Sequence, residues 1–149
     1  MKIAIASDHA ALELRPAVVK HLEAQGHEVL DLGTHKEKGN YALEGIKVGE
    51  TVSLGNADYG IVICGTGIGI SIAANKVRGI RAALCNSVEF AKLTREHNNA
   101  NVLAMGARFI TEEQALDIVD TFLTTEFEGG RHLDRVDAIS DYEESCIDC

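Results

Sequence analysis

The chain has 149 residues, of which 46% are hydrophobic and 25% are charged, as in an ordinary globular domain with a sizeable core. Its 14 Lys and Arg residues and 23 Asp and Glu residues give a net charge of −9, which argues against general nucleic-acid binding and requires any anionic ligand to be held locally. No apolar run reaches the roughly 18 residues of a membrane helix, and the start MKIAIASD has no long apolar signal region, so we expect a cytoplasmic protein with free thiols.

Short apolar segments alternate with amphipathic segments along the chain. Strands are predicted at 2–7, 28–33, 59–64, 81–85 and 101–106. Helices are predicted at 11–25, 42–54, 69–76 and 88–96 and from Thr111 onwards, with loops at 33–41 and 128–135 and a last amphipathic segment after them. This alternation predicts an α/β fold: a three-layer αβα, Rossmann-like single domain over residues 1–149 with a five-stranded parallel sheet.

Particular residues mark the ends of these elements. Gly26 and Gly55 follow the first two helices, and Ser87 is predicted to cap the fourth. Thr111 precedes two glutamates, a pattern typical of a helix start. Pro16 leaves the start of the first helix uncertain, because proline costs least within a first helical turn.

A glycine-rich loop follows the third strand in the stretch ICGTGIGISIAANK (63–76), with Gly65, Gly67 and Gly69 at alternate positions. It does not match the dinucleotide fingerprint, because Ile70 occupies the position of the third glycine, and the chain has no G-x-x-x-x-G-K-[ST] motif. A nucleotide site is therefore disfavoured. Glycine amides at a helix start can still point toward another anion, such as an enediolate that forms during a reaction.

Chemically active residues follow three of the predicted strands. Asp8 and His9 follow the first strand, Cys64 ends the third and Arg108 follows the fifth. Because ligands bind outside the carboxyl ends of parallel strands, we expect a site at this edge of the sheet. The positive end of a helix favours the thiolate form of cysteine, so Cys64 could act as a nucleophile or as a base. The loop alone supports equally well a small buried residue that merely ends a strand.

Four segments in this order resemble the B-type ribose-5-phosphate isomerases, a family that also includes galactose-6-phosphate isomerase subunits and allose-6-phosphate isomerases. The segments are SDHAALEL (7–14), GIVICGTGIGISIAANKVRGIRAALC (60–85), REHNNANVLAMGAR (95–108) and FEGGRHLDRV (127–136). The resemblance runs from residue 2 to about residue 140. It implies an aldose–ketose isomerase without metal or cofactor that acts on a sugar phosphate, with ribose 5-phosphate as the first choice.

The resemblance also implies catalytic roles. Cys64 is the base that moves a proton between C1 and C2 of the open sugar, because Ile70 stands where some members carry a glutamate base. His97 opens the furanose ring, with Asp8 near it. The oxyanion hole is the backbone of one loop, with the Thr66 side chain beside it: Gly65, Thr66, Gly67, Ile68 and Gly69.

Further roles by resemblance concern substrate binding. Asn98 contacts the sugar or the enediolate and Tyr41 lines the sugar pocket. The cations are His9, Arg131 and Arg135, which form a phosphate clamp, and Arg108. Arg131 and Arg135 are four residues apart, so within a helix they would project to one side. Plainer interpretations stay open at this stage, since arginine pairs are often simply solvated and His97 at a helix end could complement the helix dipole.

The position of His97 and Asn98 predicts a homodimer. They end the helix that leads into the fifth strand, which places them near the amino end of that strand and away from Cys64. A two-fold dimer would complete each site with these residues from its partner. The resemblance implies the same dimer, often paired into tetramers. We expect the tail from about residue 141 to fray or to pack on a partner subunit.

The chain departs from the family pattern at Asn40-Tyr41-Ala42, where many members carry aspartate-tyrosine-proline. This loop lies where the sugar should enter, so an isomerase of a hexose 6-phosphate (allose or galactose 6-phosphate) is an alternative. Two other classes stay open: a nucleotide-binding regulatory module that uses the glycine loop, and a thiol redox protein that uses Cys64 or the Cys146/Cys149 pair.

Overall fold

The computed structural model describes residues 1–33 and 38–146, in which strands and helices alternate. The strands are β1 (Lys2–Ser7), β2 (Glu28–Asp31), β3 (Tyr59–Cys64), β4 (Ala82–Leu84) and β5 (Val102–Gly106). The helices are α1 (Leu14–Ala24), α2 (Tyr41–Ser53), α3 (Ile68–Asn75), α4 (Val88–Asn98), α5 (Glu112–Thr124) and α6 (Arg131–Ser145), and a 3-10 turn covers His9–Ala11. No helix in this part of the chain is both long and apolar enough to cross a membrane.

The five strands form one parallel sheet in the order β2-β1-β3-β5-β4. The predicted α/β fold with a five-stranded parallel sheet is therefore confirmed. The chain runs from β1 outward to β2 and then returns past β1 to β3. This reversal creates a topological switch point between β1 and β3, and in open α/β sheets ligands bind at such a point.

The sheet is covered on both faces. Alternate residues of β1 and β3, among them Ile5 and Ile63, pack against α1, α4 and α5. The residues between them, among them Ala6 and Cys64, pack against α2 and α3. The first face carries the larger isoleucines and the second the smaller side chains, so a one-residue slip would exchange large and small residues. This difference in size favours the observed register and with it the side to which Cys64 projects.

Two helices begin at the predicted capping residues, and one helix begins later than predicted. Ser87 Oγ accepts the Phe90 N–H at 3.2 Å, and Thr111 forms a reciprocal capping box with Gln114. The segment before α1 differs from the prediction, because Asp8 caps the short 3-10 turn and the α-helix begins only at Leu14. Pro16 then lies in the first turn, where its missing N–H leaves no helical bond unmade.

The last helix begins earlier than the sequence indicates. The prediction of a loop over 128–135 was wrong from Arg131 onward, because Gly129 and Gly130 adopt φ of +67° and +54° and turn the chain into α6. No side chain caps this helix, so the sequence carries no capping signal there. The helix continues to Ser145, beyond the predicted onset of the tail. Part of the predicted 33–41 loop, at 34–37, and Cys149 lie outside the described residues.

Candidate active site

The residues that follow β1, β3 and β5 meet at the carboxyl edge of the sheet. These three strands are neighbours in the sheet, and Cys64 pairs in register with Gly106. The Asp8 N–H donates to the Ile63 carbonyl at 3.2 Å, which places buried Asp8 next to Cys64 at the switch point. Asp8 also accepts the Ala10 N–H at 2.9 Å, so its carboxylate is held in place. The structure thus brings together Asp8 and Cys64 as predicted.

The Cys64 thiol lies against the start of α3. Its residue is only 4% exposed, and Sγ accepts the Gly67 N–H at 3.2 Å. Gly67 has φ +80°, and a Cβ at this position would lie 2.8 Å from the Met105 carbonyl carbon, so only glycine fits there. The sulfur thus lies beside one backbone N–H donor at the positive end of α3.

The amides of the glycine loop divide into two groups. Gly67 gives its N–H to Cys64, and Ile68 gives its N–H to Thr66 Oγ1 at 3.1 Å. The N–H groups of Gly65, Thr66 and Gly69 donate to no acceptor within 1–33 and 38–146. Five amides of this loop were predicted to form the oxyanion hole. Two of them already have acceptors, so three remain that could donate to an oxyanion.

Tyr41 and Arg108 form the walls of this part of the site. A Cβ on Gly69 would lie 2.5 Å from Tyr41 Cε2, so the tyrosine ring rests directly on the loop. A Cβ on Gly65 would lie 2.9 Å from an Arg108 guanidinium nitrogen, which puts that cation over the other end of the loop. The Arg108 N–H donates to the Gly65 carbonyl at 3.1 Å. His9 is exposed at the first position of the 3-10 turn.

Asn40 holds Tyr41 in position. Its side chain caps α2 by accepting the Ala42 N–H at 3.0 Å. Asparagine caps a helix as well as aspartate does, so the departure from the family pattern at this residue preserves the cap.

The predicted residues His97 and Asn98 lie at the end of α4, away from Cys64. The Arg81 guanidinium, just before β4, donates to the Asn99 carbonyl at 2.9 Å and ties the end of α4 to the amino edge of the sheet. Asn98 lines a surface cavity of about 200 Å³ together with Arg81. Successive residues of β5 rise by roughly 3.3 Å, so its two ends are about 13 Å apart. Within one chain, His97 and Asn98 are thus at the opposite edge of the sheet from Cys64.

Both predicted phosphate-binding arginines of α6 join this second group. Helix α6 lies on α4, and the Glu128 N–H donates to the Glu96 carbonyl at 3.1 Å. Arg131 and Arg135 are exposed, and neither pairs with a carboxylate among the described residues. The Arg135 guanidinium donates to the Arg131 carbonyl, which keeps the two cations on one side of α6.

Two residues near His97 were missed by the sequence reasoning. The ring of His132 stacks on the ring of His97 with centroids 4.2 Å apart and planes 13° apart. His132 Nε2 lies 3.4 Å from Glu128 Oε2. Both residues lie within FEGGRHLDRV, but Glu128 precedes α6 and Gly129 and Gly130 turn the chain between them, so helical spacing did not signal their approach.

A doubly wound parallel sheet with a thiol and a glycine loop at its switch point defines a small-molecule site. A family model described as Ribose/Galactose Isomerase matches residues 3–139. The chain therefore belongs to the ribose/galactose isomerase family, as the sequence resemblance indicated, and is an isomerase. This membership argues against the nucleotide-binding module and the thiol redox protein that the sequence alone left open.

Individual relatives match over almost their full length. The ribose-5-phosphate isomerase B of Escherichia coli (strain K12) is 47% identical over 144 residues, which cover 96% of this chain and 97% of that protein. Among solved structures, ribose-5-phosphate isomerase B of Clostridium thermocellum is 52% identical to this chain and superposes with a TM-score of 0.95. The match covers 97% of this chain and 99% of the Clostridium thermocellum chain. The Mycoplasma genitalium enzyme, solved with bound ribulose-5-phosphate, is 44% identical with a TM-score of 0.92 and covers 96% of both chains.

Proposed function

We propose that this protein interconverts D-ribose 5-phosphate and D-ribulose 5-phosphate through ring opening and an enediolate intermediate. The observation that carries the proposal is the hydrogen bond from the Gly67 N–H to Cys64 Sγ, beside three loop amides that donate to no described acceptor: those of Gly65, Thr66 and Gly69. The bound ribulose-5-phosphate in the Mycoplasma genitalium structure supports the choice of sugar.

Cys64 acts as the base in this mechanism. Its thiolate takes the proton from C2 of the open-chain aldose, and the electron pair moves into the C1–C2 bond while negative charge develops on O1. The amides of Gly65, Thr66 and Gly69 stabilise that charge, and one such donor is worth roughly 10²–10³ in rate. Transfer of the O2 proton to O1 and return of a proton from sulfur to C1 give the ketose, so no atom or electron is gained or lost.

The other predicted residues bind the sugar and open its ring. His97 exchanges a proton with the ring oxygen, a role that suits a histidine near neutral pH, and Asp8 supports it. His9, Arg131 and Arg135 hold the phosphate, which a chain of net charge −9 must bind through a few aimed cations. Arg108 supplies a further cation. The sugar contacts come from Tyr41 and Asn98.

A second copy of the chain completes each site. His97, Asn98, Arg131 and Arg135 belong to the edge of the sheet opposite Cys64, so one chain cannot bring both groups to one sugar. In a two-fold homodimer, which can itself pair into a tetramer, the partner subunit supplies these four residues. Because the two-fold axis relates the subunits, each subunit supplies the same residues to the site of the other.

We also propose that the enzyme acts in the cytoplasm. Cys64, Cys85 and Cys146 are free thiols, a state that persists in a reducing compartment.

A hexose 6-phosphate is the alternative substrate. Asn40-Tyr41-Ala42 departs from the pattern of many members, and Tyr41 lies directly against the loop that would hold the sugar. The chemistry at Cys64 would be unchanged, because the same C1–C2 isomerisation applies to allose 6-phosphate or galactose 6-phosphate.

The test is ribulose 5-phosphate formation from ribose 5-phosphate by purified protein in excess EDTA. We expect turnover in the wild type and in Cys85→Ala, whose thiol lies in the core, and a roughly 10²–10⁴-fold loss of kcat in Cys64→Ala. Turnover of allose or galactose 6-phosphate alone would replace the substrate proposed here. Full activity in Cys64→Ala would overturn the cysteine base.

A further inference from the structure

Three metal-ligating side chains converge where α4 meets α6. His97, Glu128 and His132 each offer one ligand atom, and these atoms lie within 4.8 Å of one another. Two imidazole nitrogens and one carboxylate oxygen form a ligand set that suits Zn²⁺ and related transition metal ions. The proposed reaction uses only His97 of the three.

The backbone holds this group together. The Glu128 N–H is bonded to the Glu96 carbonyl, next to His97, at 3.1 Å. The His132 N–H donates to the Gly129 carbonyl at 3.0 Å, which fixes the first turn of α6. The three ligands thus come from two segments that are bonded to each other, so little chain entropy is lost when an ion joins them.

The spacing of two ligands already fits a tetrahedral ion. His132 Nε2 and Glu128 Oε2 are 3.4 Å apart, and bonds of about 2.0–2.1 Å at a tetrahedral zinc give a ligand–ligand separation of about 3.3 Å. His97 must adjust, because its ring is nearly parallel to that of His132 and an ion has to lie in the plane of each ring. The χ2 torsion of histidine is broad, which permits a rotation of this ring.

We propose that His97, Glu128 and His132 form an inhibitory binding site for Zn²⁺ or a similar divalent transition metal ion. The bound ion occupies the ring nitrogen that His97 needs to exchange a proton with the sugar, so isomerisation stops until the ion is removed. The hard cations Mg²⁺ and Ca²⁺ prefer sites made entirely of oxygen ligands and leave the enzyme active. The inhibition rests on the proposed function of His97, whereas the binding does not.

Metal binding is measured first and without any activity assay. Co²⁺ is titrated into the full chain in a Cys146→Ser/Cys149→Ser background, so that the terminal pair cannot bind it, and absorption and heat are recorded. We expect one site per chain with a visible ligand-field band and no sulfur-to-cobalt band. His132→Ala should weaken binding by about 100-fold or more, since even outer partners of metal ligands contribute 10–100-fold.

The chain offers a matched control in His21, which also contacts a carboxylate, Asp120, at 2.8 Å but belongs to no cluster of three ligands among the described residues. His21→Ala should bind Co²⁺ as tightly as the parent. Glu128→Gln serves as a second variant, because Glu128 is exposed and its replacement leaves the core intact. Unchanged binding in both Glu128→Gln and His132→Ala, or a sulfur band, would overturn the site.

Inhibition is measured second, as the rate of each variant with Zn²⁺ relative to its own rate in EDTA. We expect Zn²⁺ to inhibit the parent and His21→Ala reversibly and the inhibition constant to rise by about 100-fold in His132→Ala. Binding without any loss of rate would overturn the inhibitory role. A chain that binds Co²⁺ but isomerises no sugar phosphate would overturn the proposed function and still support the metal site.

Discussion

At the scale of single residues, two buried cysteines differ in what surrounds them. Cys64 ends β3, and its Sγ accepts an N–H from the glycine loop. Cys85 follows β4 and packs into the apolar cluster beneath α1, α4 and α5. Burial there raises the pKa of Cys85 from its ordinary 9.0 to about 12. The two cysteines therefore differ in the loop amide beside the sulfur, which Cys64 has and which makes it the proposed base.

The pKa of Cys85 makes stability fall at alkaline pH. The thiol ionises near 9.0 in the unfolded chain but stays neutral up to about 12 in the folded chain. The free energy of unfolding should therefore fall as pH rises from 9 to 12, with a contribution from this residue of up to about 1.4 kcal/mol per pH unit.

Urea titrations of the wild type and Cys85→Ala at several pH values between 8 and 11 measure this contribution. We expect the wild type to lose more stability with rising pH than the variant, on top of a constant cost for the smaller side chain. Parallel pH profiles would show that Cys85 does not titrate as its burial indicates.

At the scale of elements, most strands and helix starts were predicted to within one residue, but β2 ends at Asp31 instead of residue 33, and α1 and α6 begin at other residues than predicted. β1 and β3 were predicted with the residues that form them, because both are apolar runs bounded by polar residues or glycine. The start of α6 was missed because it depends on the backbone conformation of Gly129 and Gly130 and on a bond from Glu128 to Glu96. Neither a contact with another helix nor the order of β4 and β5 in the sheet leaves a local sequence signal.

The Asn40 cap of α2 tests whether this helix positions the proposed substrate pocket. Asn40→Ala removes the acceptor for the Ala42 N–H and should lower the free energy of unfolding by about 1 kcal/mol. Because the ring of Tyr41 rests on Gly69, the frayed first turn should also raise KM more than it lowers kcat. Chemical denaturation and initial rates measure the two effects.

Asn40→Asp is the control for this prediction. An aspartate caps equally well, and its charge interacts favourably with the positive end of the helix. Its stability should match or exceed that of the wild type. An equal rise in KM for both variants would mean that the asparagine side chain contacts the sugar rather than the helix.

At the scale of the whole molecule, the predicted site residues fall into two groups, one at the carboxyl ends of the strands and one at their amino ends. The sequence predicted this separation for His97, because the order of helix and strand fixes which end of β5 it approaches. It could not assign Arg131 and Arg135 to either group, because only the packing of α6 on α4 does so.

Mixing two inactive variants tests the composite sites. Cys64→Ala and His97→Ala are each expected to be nearly inactive alone. In mixed dimers one site carries both substitutions and the other carries neither. Equal amounts that are unfolded and refolded together should recover about one quarter of wild-type activity, since half of the dimers are mixed and each has one intact site.

The same variants refolded separately and then assayed together provide the control, provided that subunits exchange slowly. Recovery only after refolding together supports sites that are shared between chains. No recovery in either case would mean that Cys64 and His97 act on one sugar within a single chain.

Helix α6 has few buried contacts, so we expect it to loosen at lower temperature than the core does. Val136 is the one buried residue of this helix, whereas Cys64 lies in the sheet that forms the core. Segments held by few buried contacts open at lower free energy than the core does. Warming should therefore loosen Arg131 and Arg135, the proposed phosphate ligands, first, so that affinity for the sugar phosphate declines over a range of temperature in which turnover at saturation still rises.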